Sequence, residues 1–250
     1  MSLLLMSFLV GLVTGLTSMG GAALMTPFLI LIMGVRPLMA VGTDLVYSAV
    51  TRLSGAGMHL YRGTVDLPTV GRLACGSIPG GIAGFFLLQM FQKRGLNPDQ
   101  YLRHAIGFVL VIVALLVLIR TWFPLPQTSA LWSARRLKIL TIAWGALVGL
   151  AVGITSIGSG TLMAPFLLML FPKTPVRVVG TDIFHGALLV LATSLLYSRA
   201  GKVEWQLVPM LLAGSIPGVL IGSYFANLLP VRGMRVSLSV LLFATGIKLV

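Results

Sequence analysis

Long apolar segments follow one another along nearly the whole chain, and no other feature constrains the fold as much. Such segments lie near residues 3–18, 22–33, 41–59, 69–91, 103–121, 137–156, 160–171, 179–198, 206–228 and 234–250. Several approach the roughly 20 residues that a helix needs to cross the hydrocarbon core of a bilayer. Only 9% of the residues are charged, whereas soluble domains carry about a quarter. Backbone polar groups in lipid must be satisfied within their own segment. The sequence therefore predicts an all-α integral membrane protein with several crossings.

The sequence also repeats itself at a constant spacing of 138 residues. The repeated stretches are Gly15–Leu29 with Gly153–Leu167, Val41–Asp44 with Val179–Asp182, and Gly76–Gly80 with Gly214–Gly218. The alignment needs no gap, which indicates a duplicated chain. We therefore expect two homologous five-segment repeats, a first half (1–122) and a second half (137–250). Residues 123–136 would connect them, and the whole chain would contain 8–10 helical elements.

Two of the segments, 22–33 and 160–171, are too short for ordinary spans, and each follows a glycine-rich break. We expect them to be broken or re-entrant helices. If the two helices flanking a break return to the same side, each half has an odd number of crossings and the halves are inverted. If they form one broken span, the halves are parallel. We favour inverted repeats, because many membrane permeases are built this way.

Both breaks contain residue types that suit an anion. The predicted binding residues are Thr17, Ser18, Gly20 and Gly21 in the first break and Thr155, Ser156, Gly158, Ser159 and Gly160 in the second. A helix that restarts inside the membrane points free N–H groups and the positive end of its dipole at the break. Hydroxyl groups add donors, and glycine lets a ligand approach the backbone. The alternative is that these small residues only permit close helix packing.

A repeated Gly-Thr-Asp motif places a carboxylate near the start of an apolar segment in each half. Its polar residues are Thr43 and Asp44 in the first half and Thr181 and Asp182 in the second. An ionisable group at membrane depth is costly and usually functional, so these carboxylates are candidates for carrying protons. Thr and Asp are also good N-cap residues, and helix capping is the alternative interpretation.

Four further residues stand out within apolar segments. Pro79 and Pro217 each remove one helical hydrogen bond, so they mark either hinges or fixed kinks. Arg52 and His185 are candidate contacts for an anion. The alternative for His185 is an ordinary packed, hydrogen-bonded side chain.

The formal net charge of +13 does not indicate nucleic-acid binding. The basic residues fall mostly in the short breaks between apolar segments, where cytoplasmic loops meet anionic lipid. With a single cysteine and no recognisable catalytic or nucleotide-binding motif, the sequence favours neither an enzyme nor a metal or cofactor protein.

The repeated stretches, together with Val41–Asp44 and Ser77–Gly80 and their second-half copies, resemble the sulfite exporter TauE/SafE family. The resemblance covers nearly the whole chain. It implies a multi-pass permease of the inner (plasma) membrane that transports small sulfur-containing anions, such as sulfite or organosulfonates, often outward. The expected mechanism is alternating access with the two halves rocking against each other. A passive anion channel of the same fold and a permease for another small anion are the alternatives, and a homodimer is one oligomeric state open to such a chain.

Overall fold

The structure, a computed structural model, describes residues 2–17, 22–122, 133–171, 174–225 and 231–250. These residues form ten α-helices. In chain order they are α1 (Ser2–Thr17), α2 (Ala22–Leu31), α3 (Pro37–Tyr61), α4 (Leu67–Lys93), α5 (Pro98–Trp122), α6 (Ala134–Thr155), α7 (Met163–Leu170), α8 (Pro175–Arg199), α9 (Val208–Phe225) and α10 (Val231–Leu249). Most of the predicted connecting segment, residues 123–132, lies outside the described residues. The short segments predicted after each break correspond to α2 and α7.

Four of the described helices are long and apolar enough to cross a bilayer, namely α4, α5, α6 and most of α8 (Val176–Arg199). The outward faces carry large exposed apolar side chains such as Phe86, Phe108, Leu220 and Val240. So many exposed large apolar side chains are typical of a surface that faces lipid. The prediction of an all-helical, multi-pass membrane protein is therefore confirmed.

The closest helix pairs each join one helix from the first half to one from the second half. These pairs are α4 with α6, α1 with α9, α5 with α10 and α3 with α8. Glycines on both partners bring α4 and α6 into backbone contact: a Cβ atom at Gly149 would lie 2.1 Å from the Ser77 carbonyl oxygen, and one at Gly76 would lie 2.0 Å from the Ile142 carbonyl oxygen. Close approach of this kind is how helices associate without a hydrophobic driving force in lipid.

Positions 138 residues apart make equivalent contacts. Gly149 of α6 lies against Ser77 of α4, and Gly11 of α1 lies against Ser215 of α9, where a Cβ would come within 2.4 Å of the carbonyl oxygen. Each of these two contacts between the halves is therefore the counterpart of the other, with both residues shifted by 138 positions. Rocking of one half against the other stays a prediction, and any such motion would have to shift helices within all four of the closest helix pairs.

Helices α3 and α8 occupy the centre of the bundle. Helix α3 is as long as a spanning helix but less apolar, since it carries a run of polar residues that includes Thr43, Asp44, Ser48 and Arg52. The first three are buried, as are Thr181, Asp182 and His185 on α8. The costly polar groups are therefore gathered inside the protein, where a functional site is expected.

Candidate functional site

The second break, between α6 and α7, is shaped by hydrogen bonds of its own polar groups. Helix α6 ends where Ser156 adopts a left-handed backbone conformation, with φ at 62°. The Thr155 hydroxyl donates to the Ala151 carbonyl oxygen at 2.8 Å and accepts from the Ile157 N–H at 3.2 Å. Thr155 therefore shapes the break. The sequence analysis predicted that its hydroxyl binds the anion, but in this structure the hydroxyl hydrogen is already donated to Ala151.

Beyond Ile157 the break presents unused donors. None of the described residues accepts a hydrogen bond from the N–H groups of Gly158, Ser159, Gly160 or Thr161. All four residues are buried, and the Thr161 hydroxyl is also buried without a partner. Buried donors without partners are rare and costly, and here they precede the first turn of α7. This arrangement is suited to an anion.

Asp44 joins three elements at the centre of the bundle. Its Oδ2 atom accepts from the Ser156 hydroxyl at 2.5 Å and from the Thr26 hydroxyl at 3.0 Å, and these two hydroxyl oxygens lie 2.7 Å apart. All three side chains are fully buried. The carboxylate on α3 thus holds α2 of its own half and the break of the other half. Thr26 was not among the predicted residues.

The Gly-Thr-Asp motifs do not cap their helices, and the capping interpretation is wrong. Helices α3 and α8 begin at Pro37 and Pro175, with Arg36 and Thr174 at the N-cap positions. The motif therefore lies in the second and third turns.

The threonines of these motifs instead bind the opposite half. The Thr43 hydroxyl accepts from the Glu204 N–H at 2.9 Å, and the Thr181 hydroxyl accepts from the Asp66 N–H at 3.0 Å. Gly42 makes room for this contact, since a Cβ there would lie 1.8 Å from the Lys202 carbonyl oxygen. The motif therefore docks each central helix on the other half and turns its aspartate inward.

Arg52 reaches from α3 to α8 beside the second break. A Cβ atom at Gly186 would lie 2.3 Å from Arg52 Nη1 and 3.7 Å from the Ser159 Cβ atom. The guanidinium interacts electrostatically with Asp182 and Asp44. Within the described ranges, however, it makes neither a salt bridge nor a hydrogen bond, and it remains partly exposed. Arg52 is therefore a charged donor group with unused bonding capacity at the centre of the bundle.

His185 lies one position before Gly186 and is also buried. Its Nε2 atom lies 2.7 Å from the Ser77 hydroxyl, and its Nδ1 atom has no partner among the described residues. The equivalent positions in the other half are Tyr47 and Ser215, which also lie next to each other. His185 is thus a hydrogen-bonded side chain with one ring nitrogen left over. The sequence analysis included Ser77 only as part of the repeated proline motif. Its copy at Ser215, 138 residues later, is the signal that could have marked it as a partner of the central helices.

Of the remaining predicted residues, some lie among the described residues and some do not. Thr17 ends α1, and Ser18, Gly20 and Gly21 lie outside the described residues, so the first break stays a prediction. Pro79 and Pro217 lie within continuous helices, α4 and α9. Glycines on both sides of each proline pack against the partner helix.

Buried polar and charged groups at the centre of a helical membrane bundle are typical of multi-pass membrane transporters. The chain belongs to the sulfite exporter TauE/SafE family, whose model matches residues 3–249. It is 39% identical to the probable membrane transporter protein YjnA of Bacillus subtilis, over 100% of this chain and 99% of that protein.

Two further relatives bear similar names. The probable membrane transporter protein YdhB of Bacillus subtilis is 28% identical, over 92% of this chain and 91% of that protein. A probable membrane transporter protein of Xylella fastidiosa is 27% identical, over 88% and 82%. No solved structure matches the chain.

Proposed function

We propose that this chain is a secondary transporter that exports small sulfur-containing anions, such as sulfite or organosulfonates, across the inner membrane. The observation that carries the proposal is the Arg52 guanidinium, which lies beside Ser159 and the N–H groups of the second break. Neither the guanidinium nor these N–H groups hydrogen-bond to any of the residues that the structure describes. A guanidinium and converging N–H donors suit the planar set of oxygens of a sulfite or sulfonate group. The sulfur chemistry and the outward direction rest on the description of the family.

The two halves are proposed to be inverted repeats, 1–122 and 137–250, that bind the anion between them. The equivalent contacts of Gly149 and Gly11 support a two-fold relationship between the halves, and the inversion itself rests on the predicted re-entrant pairs of short helices. Because the closest helix pairs interlock the halves, we propose that alternating access arises from movement of the short helices. Helices α2 and α7 pack mainly on α3 and α8, respectively, and they lie outside the glycine-packed pairs.

Asp44 is proposed to carry the coupling proton. Asp44 Oδ2 and the hydroxyl oxygens of Ser156 and Thr26 form a ring of three short contacts. When the carboxylate is ionised, the two hydroxyls supply only two hydrogens for three contacts. A proton on Asp44 supplies the third and completes the ring. Proton uptake would thereby fasten α2 and the second break to α3, and proton release would loosen them.

A carrier and a passive channel differ in how their flux behaves. Purified protein in liposomes loaded with unlabelled 2-hydroxyethanesulfonate is expected to take up the labelled compound transiently above equilibrium, with a rate that saturates. Counterflow arises because one site is exposed alternately to the two sides. Flux that rises linearly with concentration, without counterflow, would identify a channel instead. Liposomes without protein give the background.

Transport by the wild-type protein is expected to slow as pH rises, because fewer molecules carry the coupling proton on Asp44. Asp44→Asn is expected to give a flat profile, since an amide neither gains nor loses a proton in this range but can still hydrogen-bond to Ser156. The measurement is initial uptake of 2-hydroxyethanesulfonate, whose sulfonate group stays ionised, between about pH 5 and 8.

The control for this experiment is Glu204→Gln, which alters a carboxylate outside the ring. It is expected to keep the wild-type slope. A wild-type slope in Asp44→Asn would remove Asp44 as the proton carrier and would direct attention to Asp182 and His185.

A further inference from the structure

The centre of the bundle contains unused acceptors as well as unused donors. Asp182 is 2% exposed, and its Oδ1 atom has no hydrogen-bond partner among the described residues. The same holds for Asp44 Oδ1, although the other oxygen of Asp44 is occupied by Ser156 and Thr26. A buried acceptor without a donor is costly. An anion that carries only acceptors would leave this cost in place.

Asp182 lies close to the point where Arg52 crosses α8. Residues four apart on a helix share a face, with their Cβ positions about 6 Å from each other. Asp182 and Gly186 have this spacing, and Gly186 is the residue against which the Arg52 guanidinium rests. The Asp182 side chain and the Arg52 guanidinium therefore lie on the same face of α8, about one helical turn apart.

Electrostatics limits the charge of the ligand. Arg52 contributes one positive charge and interacts with two carboxyl groups, Asp182 and Asp44. His185 also interacts with Arg52, and Arg120 adds a second positive charge that acts on Asp182. A ligand with two negative charges would place its second charge near these carboxyl groups, and like charges at short range are strongly unfavourable inside a protein.

We propose that the site selects monoanions that also carry a hydrogen-bond donor, binding the anionic group at Arg52 and the second break and the donor at Asp182. This inference rests on the proposed function and narrows its substrate class. Short hydroxysulfonates fit it, whereas unsubstituted alkylsulfonates lack the donor and sulfate carries a second charge. Discrimination of this kind is strong when the protein presents a buried polar group that only one of two analogues can pair.

The test compares 2-hydroxyethanesulfonate with ethanesulfonate, which differs from it by one hydroxyl group. Binding to the purified wild-type protein is measured by calorimetry at one pH, with sulfate as the dianion. We expect the hydroxy compound to bind about tenfold tighter, because ethanesulfonate would leave the buried Asp182 acceptor without a donor. Sulfate is expected to be the weakest ligand.

Variants of Asp182 assign the preference to its carboxylate. Asp182→Val is expected to bring the affinity ratio of the two sulfonates close to one, whereas Glu204→Gln keeps the wild-type ratio. If Asp182→Val does not fold, Asp182→Asn, with its weaker neutral acceptor, is expected to reduce the ratio. An unchanged ratio in the folded variant overturns the assignment.

The outcomes separate the two proposals. Equal affinity of wild-type protein for both sulfonates, or tighter binding of sulfate, overturns the selectivity and leaves the proposed function standing. Binding of neither sulfonate, nor of sulfate or sulfite, overturns the proposed function and the selectivity together.

Discussion

Replacing Arg52 by glutamine is expected to weaken anion binding about 100-fold, since charge-assisted hydrogen bonds contribute about 1.5–3 kcal/mol each. The guanidinium is the positively charged group that rests against Gly186 beside Ser159, and glutamine keeps a similar length without the charge. Arg52→Lys keeps the charge but loses the planar fork, so an intermediate loss of about tenfold is expected. The measurement is the stabilisation of purified protein against heat by increasing concentrations of 2-hydroxyethanesulfonate and sulfite.

Arg62→Gln is the matched control for this prediction. Arg62 is exposed at the C-terminal end of the same helix, α3, and its replacement is expected to leave the affinity unchanged. Size-exclusion chromatography of Arg52→Gln shows whether the variant is folded, because removal of a cation near Asp44 and Asp182 also changes the balance of charge. Full affinity in a folded Arg52→Gln protein would place the anion elsewhere.

Gly149→Ala is expected to lower the midpoint of thermal unfolding by about 8 °C, which corresponds to roughly 3 kcal/mol for a chain of this length. The added Cβ would lie 2.1 Å from the Ser77 carbonyl oxygen and 2.6 Å from its Cα atom. Backbone cannot rotate away as a side chain can, so α6 would have to move from α4. Thermal unfolding in detergent measures the effect. Gly11→Ala, at the equivalent position against Ser215, is expected to have a comparable effect.

Gly71→Ala supplies the control on α4 itself. Gly71 is exposed, and a Cβ there would meet no atom within 4 Å. Alanine favours helix over glycine by up to about 1 kcal/mol, so the midpoint should stay constant or rise. If Gly149→Ala and Gly71→Ala behave alike, the glycines do not determine the packing of α4 on α6.

Much of this architecture could be predicted from local sequence. Apolar segment length and glycine-rich breaks indicated the long helices and the two short ones, because both follow from the thickness and dryness of the bilayer. Asp44 and Asp182 were identified because an ionisable residue in an apolar segment is costly to bury in the membrane and is usually functional. Arg52 was identified for the same reason.

The helix starts were harder to predict. The apolar segment that became α3 begins near residue 41, whereas the helix begins at Pro37. Proline at the first helical position favours the earlier start, and giving it more weight would have ruled out capping by Thr43 and Asp44.

The partners of the central residues could not be predicted from local pattern. Thr26 and Ser156 are 130 residues apart, and hydropathy does not specify that Asp44 joins them. The same limitation affected the interlocked helix pairs, since a glycine stripe indicates close packing but does not identify the helix that fills it. The 138-residue spacing predicts a contact in one half only after the equivalent contact in the other half is known, as for Gly11 with Ser215 from Gly149 with Ser77.

The pairing of α1 with α9 has a consequence for biosynthesis. Nearly the whole chain must leave the ribosome before α1 meets its closest partner, and α5 likewise waits for α10. Until α6 to α8 are inserted, Asp44 has no hydrogen bond from Ser156, and Arg52 has no contact with α8. The newly made first half therefore holds charged groups in the lipid without their final neighbours, so truncation after α5 should yield a product that cellular quality control degrades.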